Sequence, residues 1–158
     1  MLETGRLMLE TGRPAPDFTL KDQHGTPVRL ASLRGERNVV VVFFPFAFTG
    51  ICTIELCEIR DDIGVYQNED VQVVAISCDP MPTLRVFGDR EGFTFPLLSD
   101  FWPHGEVSRA YGVFDDTAGL ALRGTFILDR AGVVRWSVVS RRGQARDAAA
   151  YQKALGAL

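Results

Sequence analysis

The chain is poor in cysteine, in histidine and in any excess of one charge, and each shortage removes a class of function. Three cysteines, at positions 52, 57 and 78, are too few for the paired framework of a small secreted disulfide scaffold, so a reducing compartment is expected. Cys52 and Cys57 lack Cys-x-x-Cys spacing and have no histidine nearby, so neither a metal nor any other cofactor is expected. His24 and His104 read as turn and surface residues. A net charge of −3 gives no basic footprint for nucleic acid; the pair Arg141-Arg142 is too short to supply one and reads as solvated surface. The longest apolar run falls far short of the roughly 20 residues of a membrane helix. No signal-peptide pattern is seen either, so a cytoplasmic location and no membrane partner are expected.

What is present suits one domain. A chain of 158 residues, 46% hydrophobic and 23% charged, can bury about two-thirds of the surface it exposes when unfolded. The first seven residues, Met1 to Leu7, are nearly repeated by Met8 to Pro14; this reads as a duplicated or frayed start, with a single domain over 8–158.

The pattern predicts an α/β sandwich. Asp17–Leu20 and Val28–Leu30, joined by Asp22-Gln23-His24-Gly25, read as an amino-terminal β-hairpin forming a lid over one end. Val39–Phe44 and Val71–Ser77 are continuous apolar runs, the mark of strands covered on both faces. Between them Cys52, Leu56, Ile59, Ile63 and Tyr66 recur at helical spacing. Further helices are expected over Thr83–Arg90, around Val107–Tyr111 and over about Arg146–Leu155, with an irregular stretch before the second of these. Gly124–Asp129 and Val133–Val139 flank Arg130-Ala131-Gly132, a hairpin signal. The sum is a mixed central sheet with helices on both faces.

Cys52 carries the chemistry. It follows a buried strand and the run Pro45-Phe46-Ala47-Phe48-Thr49-Gly50-Ile51, and it begins a helix, whose first N–H groups lack intrahelical partners and carry the positive end of the macrodipole. A sulfur there ionises more readily than a free thiol. Thr49 suits the N-cap, Pro45 ends the strand and Gly50 permits close backbone approach. Taken alone, a cysteine here is also well explained as a small apolar filler.

The Pro-x-x-x-Thr-x-x-Cys spacing of Pro45, Thr49 and Cys52 after a buried strand resembles the signature of the peroxiredoxins, thiol peroxidases of the thioredoxin superfamily. The resemblance continues through Pro16–Leu20, Phe93–Asp100 and Arg123–Asp129, and the segment Ser99–Gly105 is similar to the one-cysteine AhpE group of that family. It implies a thioredoxin-like fold and reduction of hydrogen peroxide and organic hydroperoxides without haem, metal or flavin. Cys52 would be the nucleophile and Arg123 would favour the thiolate and polarise the O–O bond. Thr49 would hydrogen-bond sulfur and peroxide, and Pro45 would shield the thiolate from water. The reductant implied is a thiol: thioredoxin, mycoredoxin with a low-molecular-weight thiol, or glutaredoxin. A homodimer or higher homo-oligomer is implied as well, with Phe46 and Phe48 facing the partner.

Cys57 departs from the one-cysteine pattern and is similar instead to the second, resolving cysteine of the PrxQ group. Residues five apart on one helix are turned about 140° and rise about 7.5 Å, whereas a disulfide wants Cα atoms within about 7 Å. Resolution by Cys57 therefore requires the first turns to unwind; packing beside the buried stripe is the other reading, and both stay open. Cys78 reads as a strand-end packing thiol. Trp102 and Phe46, Phe48, Phe93 and Phe95 are expected in the core rather than on a cofactor. A general thiol–disulfide oxidoreductase, or a redox-sensing or chaperone-like interaction protein, are the rival functions, the former weakened by the missing Cys-x-x-Cys.

Overall fold

A computed structural model of the chain describes residues 9–140 and 146–158. The expected duplicated start at 1–7, the boundary at Met8 and the Arg141-Arg142 pair lie outside the described residues.

The apolar runs form the middle of the sheet. β3 (Asn38–Phe43) and β4 (Val71–Ser77) pair in parallel, Val40 opposite Val73 and Val42 opposite Ala75, and every residue of β4 is buried. β8 (Arg123–Leu128) lies antiparallel on the other side of β3, and β9 (Val134–Ser140) lies antiparallel beside β8. The turn between β8 and β9 is built by Asp129, whose Oδ1 accepts from the N–H groups of Ala131 and Val133. Gly132 takes φ 81° there.

β1 (Thr19–Lys21) and β2 (Pro27–Arg29) form the expected hairpin, with a departure in its place. Instead of capping one end as a lid, it extends the sheet edge, because Lys21 pairs with Ser99 of β5 (Leu97–Ser99). The seven strands run β2-β1-β5-β4-β3-β8-β9. β5 lies within the stretch expected to be irregular and pairs in parallel with β4. A second, two-stranded sheet of β6 (Phe114–Asp115) and β7 (Leu120–Ala121) was also not foreseen.

Side-chain alternation along β3 divides the core, since successive Cβ atoms point to opposite faces. Val40, Val42 and Phe44 pack with α1 (Gly50–Asp61), α2 (Ile63–Tyr66), α3 (Met81–Glu91) and α5 (Ala148–Gly156), through Leu56, Ile59, Tyr66, Leu84, Phe87 and Tyr151. Val39, Val41 and Phe43 pack on the opposite face with Phe18, Leu30, and Val107 and Tyr111 at α4 (Glu106–Ala110). Helices thus cover both faces, as the alternating pattern predicts. The single long helix expected from Cys52 to Tyr66 is broken at Asp62, which has φ −117° and ψ 34° and separates α1 from α2. The last helix begins at Ala148, with the Asp147 carboxylate accepting from Ala149 N–H, so Arg146 stands before it rather than in it.

Candidate active site

The site gathers where β3 ends and α1 begins. Phe44 continues the ladder by donating its N–H to Ile76 O at 2.9 Å, and Pro45, which has no N–H to donate, ends it. Pro45 and Ala47 are buried. Phe48 takes φ 66°, a left-handed conformation that a bulky side chain adopts only under constraint. Thr49 is the N-cap residue by position, with φ −99° and ψ 150°, but its side chain does not cap the helix. Its Oγ1 donates back to Phe46 O at 2.8 Å, so the first N–H groups of α1 have no side-chain cap.

Cys52, in the first turn of α1, is 0% exposed and shares an apolar cluster with Phe44, Ala47 and Leu56. The sulfur expected at the mouth of a helix stands there, enclosed by this cluster.

The polar side of the site is assembled by strand register. Val42 faces Thr125 across the β3–β8 pair, so Arg123, two residues earlier in an antiparallel partner, reaches the end of β3 near Phe44. It shares a face of β8 with Thr125 and Ile127, and Ile127 packs on the same side of the sheet as Cys52. Arg123 is 5% exposed and its Nη1 donates to Glu55 Oε1 at 2.6 Å. Glu55 stands three residues after Cys52, where helix side chains are neighbours with Cβ atoms about 5–6 Å apart. The glutamate thus ties Arg123 to the turn that carries the thiol.

A second guanidinium completes the cluster, and it was not singled out from the sequence. Arg146 donates from Nη2 to Glu55 Oε1 at 2.9 Å and from Nε to Oε2 at 3.1 Å, and its backbone N–H donates to Oε2 at 2.6 Å. Its Nη1 donates to Phe43 O, Gly124 O and Thr125 Oγ1. Burial pushes the Glu55 carboxyl up, but the Arg146 hydrogen bonds and charge, with the charge of Arg123, together hold it below the ordinary range. Arg123 keeps one donor in reserve: its Nε is buried with no hydrogen-bond partner among the described residues. A buried unmet donor costs free energy unless something occupies it. Glu55 and Arg146 left one trace in the sequence, a charged residue inside the apolar stripe of α1; nothing local marks Arg146.

Cys57 is not brought to Cys52. Half-buried on the intact α1, its Sγ lies 3.7 Å from Glu91 Oε1 at the end of α3. Burial chiefly pushes this thiol up; the charge of Arg60 opposes the rise, and the charge and hydrogen bond of Glu91 add to it. Cys78 is 5% exposed at the end of β4, and burial first, then the charge of Asp100, pushes it up to about 12. The expected core positions divide: Phe93 and Phe95 are buried, whereas Phe46, Phe48 and Trp102 are 44%, 45% and 81% exposed. Phe46 and Phe48 sit on the loop before α1, the Phe48 ring 5.0 Å from that of buried Phe87, and Trp102 lies in the turn that follows β5. His104 is exposed, its Nδ1 within 3.0 Å of Phe101 O and its Nε2 within 2.7 Å of Gly119 O.

The AhpC/TSA family profile matches residues 11–137. The chain is 52% identical over 151 residues to alkyl hydroperoxide reductase E of Mycobacterium tuberculosis, covering 96% of this chain and 99% of that protein. It is 30% identical over 157 residues to the chloroplastic 2-Cys peroxiredoxin BAS1 of Spinacia oleracea, covering 93% of this chain and 58% of that one. Among solved structures it is similar to the peroxidoxin BcpB of M. tuberculosis, with a TM-score of 0.84 at 35% identity over 95% of this chain and 98% of that one. A buried cysteine at a helix start, an arginine tethered one turn away and relatives of this extent lead to one conclusion: the chain belongs to the AhpC/TSA family of peroxiredoxins and is a thiol-dependent peroxidase acting on hydroperoxides.

Proposed function

We propose that Cys52 is the peroxidatic nucleophile and that Arg123, Thr49 and Pro45 serve it. The Cys52 thiolate attacks one oxygen of hydrogen peroxide or an organic hydroperoxide, the O–O bond breaks, and sulfur gives up two electrons to become a sulfenic acid. The departing oxygen leaves as water or an alcohol after taking a proton. Arg123 stabilises the negative charge on that oxygen, Thr49 orients the peroxide with its hydroxyl, and Pro45 keeps water from the sulfur. Uncapped N–H groups at the start of α1 add to the anion-binding corner. The observation that carries this reading is the buried Nε of Arg123, unpartnered among the described residues, whose guanidinium is tethered through Glu55 one turn from Cys52.

The sulfenic acid returns to thiol only through another thiol. The wound helix between Cys52 and Cys57, and the burial that holds the Cys57 thiol protonated above its ordinary range, support resolution by an external thiol from thioredoxin, mycoredoxin with a low-molecular-weight thiol, or glutaredoxin. Such a cycle needs a reducing compartment, and we assign it to the cytoplasm. The exposed rings of Phe46 and Phe48 support a homodimer or higher homo-oligomer.

Mass spectrometry after one equivalent of peroxide tests the reading. A single added oxygen on Cys52, with peroxide consumption lost in Cys52→Ser, is expected. Unchanged consumption in that variant would refute the role of Cys52, and a Cys52–Cys57 disulfide would refute external resolution.

A further inference from the structure

The segment from Phe44 to Thr49 holds a left-handed, non-glycine residue, Phe48, with φ 66°. Such a conformation persists only where the surroundings over-determine it. Pro45 contributes no N–H, so the segment has few backbone donors with which to anchor itself. One of them, Ala47 N–H, leaves the segment altogether and donates to Asp79 Oδ2 at 2.9 Å, across to the end of β4. Asp79 is itself held in place: the buried Ser77 Oγ donates to the same carboxylate oxygen at 2.7 Å, and Ser99 Oγ donates to Asp79 O at 2.7 Å. The carboxylate thus anchors the residue directly before the strained Phe48, while Thr49 Oγ1 closes the segment internally on Phe46 O.

We propose that Asp79 is a positioning residue for the peroxidase reaction. Its carboxylate fixes the Ala47 N–H and thereby holds the left-handed turn at Phe48, and the Thr49 hydroxyl after it, in register with Cys52. Asp79 acts through this segment rather than on peroxide. The proposal rests on the roles given above to Cys52 and Thr49.

Two reactions of Cys52 separate positioning from general damage. Reduction of peroxide needs sulfur, Thr49 and Arg123 aligned on two oxygens, whereas alkylation by iodoacetamide needs only an accessible thiolate. Misplacing an aligned group by about 1 Å can cost up to about a hundredfold in rate. In Asp79→Ala the second-order rate constant for hydrogen peroxide is expected to fall at least about tenfold, while alkylation of Cys52 is no slower than in the wild type. Asp79→Asn keeps an acceptor oxygen for Ala47 N–H and is expected within about threefold of wild type, a residual set by the weaker neutral hydrogen bond. The Asn variant also supplies the test if the alanine variant does not fold. An unchanged peroxide rate in Asp79→Ala, a parallel fall in both reactions, or an Asn variant tenfold slowed would overturn the proposal. Failure of the peroxidase reading itself would look different, because the wild type would then consume no peroxide.

Discussion

Replacing Glu55 by glutamine tests the energetics on which the site depends. Glu55 is 5% exposed and accepts four hydrogen bonds, one from Arg123 and three from Arg146. Glutamine keeps the shape but presents one acceptor where there were two, turns an NH2 toward donors, and leaves two buried guanidiniums without a counter-charge among the described residues. Removing one partner of a buried ionic cluster costs about 3–5 kcal/mol, a large share of the roughly 5–15 kcal/mol that holds a domain together. At about 2–4 °C per kcal/mol for a chain of this size, Tm at pH 7 is expected to fall by about 6–20 °C in Glu55→Gln. Thermal and urea unfolding under reducing conditions would measure it. The sign with pH follows from the depressed carboxyl of Glu55. A group held lower in the folded state contributes stability that is complete above its unfolded value, about 4.3 for Glu, and is lost as pH falls through the folded value. The gap between wild type and Glu55→Gln should therefore be full at neutrality and shrink on acidification below that value. A variant within about 1 kcal/mol of wild type at pH 7, or a gap that widens in acid, would refute the claim that this carboxylate holds the two arginines together.

Arg123→Ala should lower the rate constant for peroxide by about 10²–10³ in stopped-flow assays, the scale for losing one preorganised donor to a developing oxyanion. It should cost less stability than Glu55→Gln, since Glu55 keeps Arg146; a rate within threefold of wild type would remove Arg123 from the site. In a Cys52→Ser background, Glu91→Gln should speed alkylation of Cys57 at pH 8, because the Glu91 carboxylate is one of the groups holding that thiol up. Slower or unchanged alkylation would remove the Glu91 carboxylate from the groups that set its ionisation.

Local pattern was enough wherever local energetics dominate. Continuous apolar runs placed β3 and β4, helical spacing placed α1, and Arg130-Ala131-Gly132 placed the β8–β9 turn, because each signal is a property of a few consecutive residues. The three-residue strand β5 carries too little pattern to be read alone; it exists because Ala75 and Ile76 of β4 and Lys21 of β1 offer it a ladder. Trp102 reads as core by its chemistry and is exposed by its place in a turn.

The sequence alone determined the element proposed to carry the reaction: a cysteine at the start of a helix, fed by a buried strand through Pro45 and Thr49, since strand, turn and helix signals all lie within about a dozen consecutive residues. Only the tertiary structure decided what surrounds that sulfur. Antiparallel register carries Arg123 to the end of β3, Glu55 is joined to Arg146 from 91 residues away, and Asp79 fastens the loop from 32 residues away. Charge pairing and hydrogen bonding depend on distance in space, and chain folding brings together groups whose separation along the sequence carries no sign of their meeting.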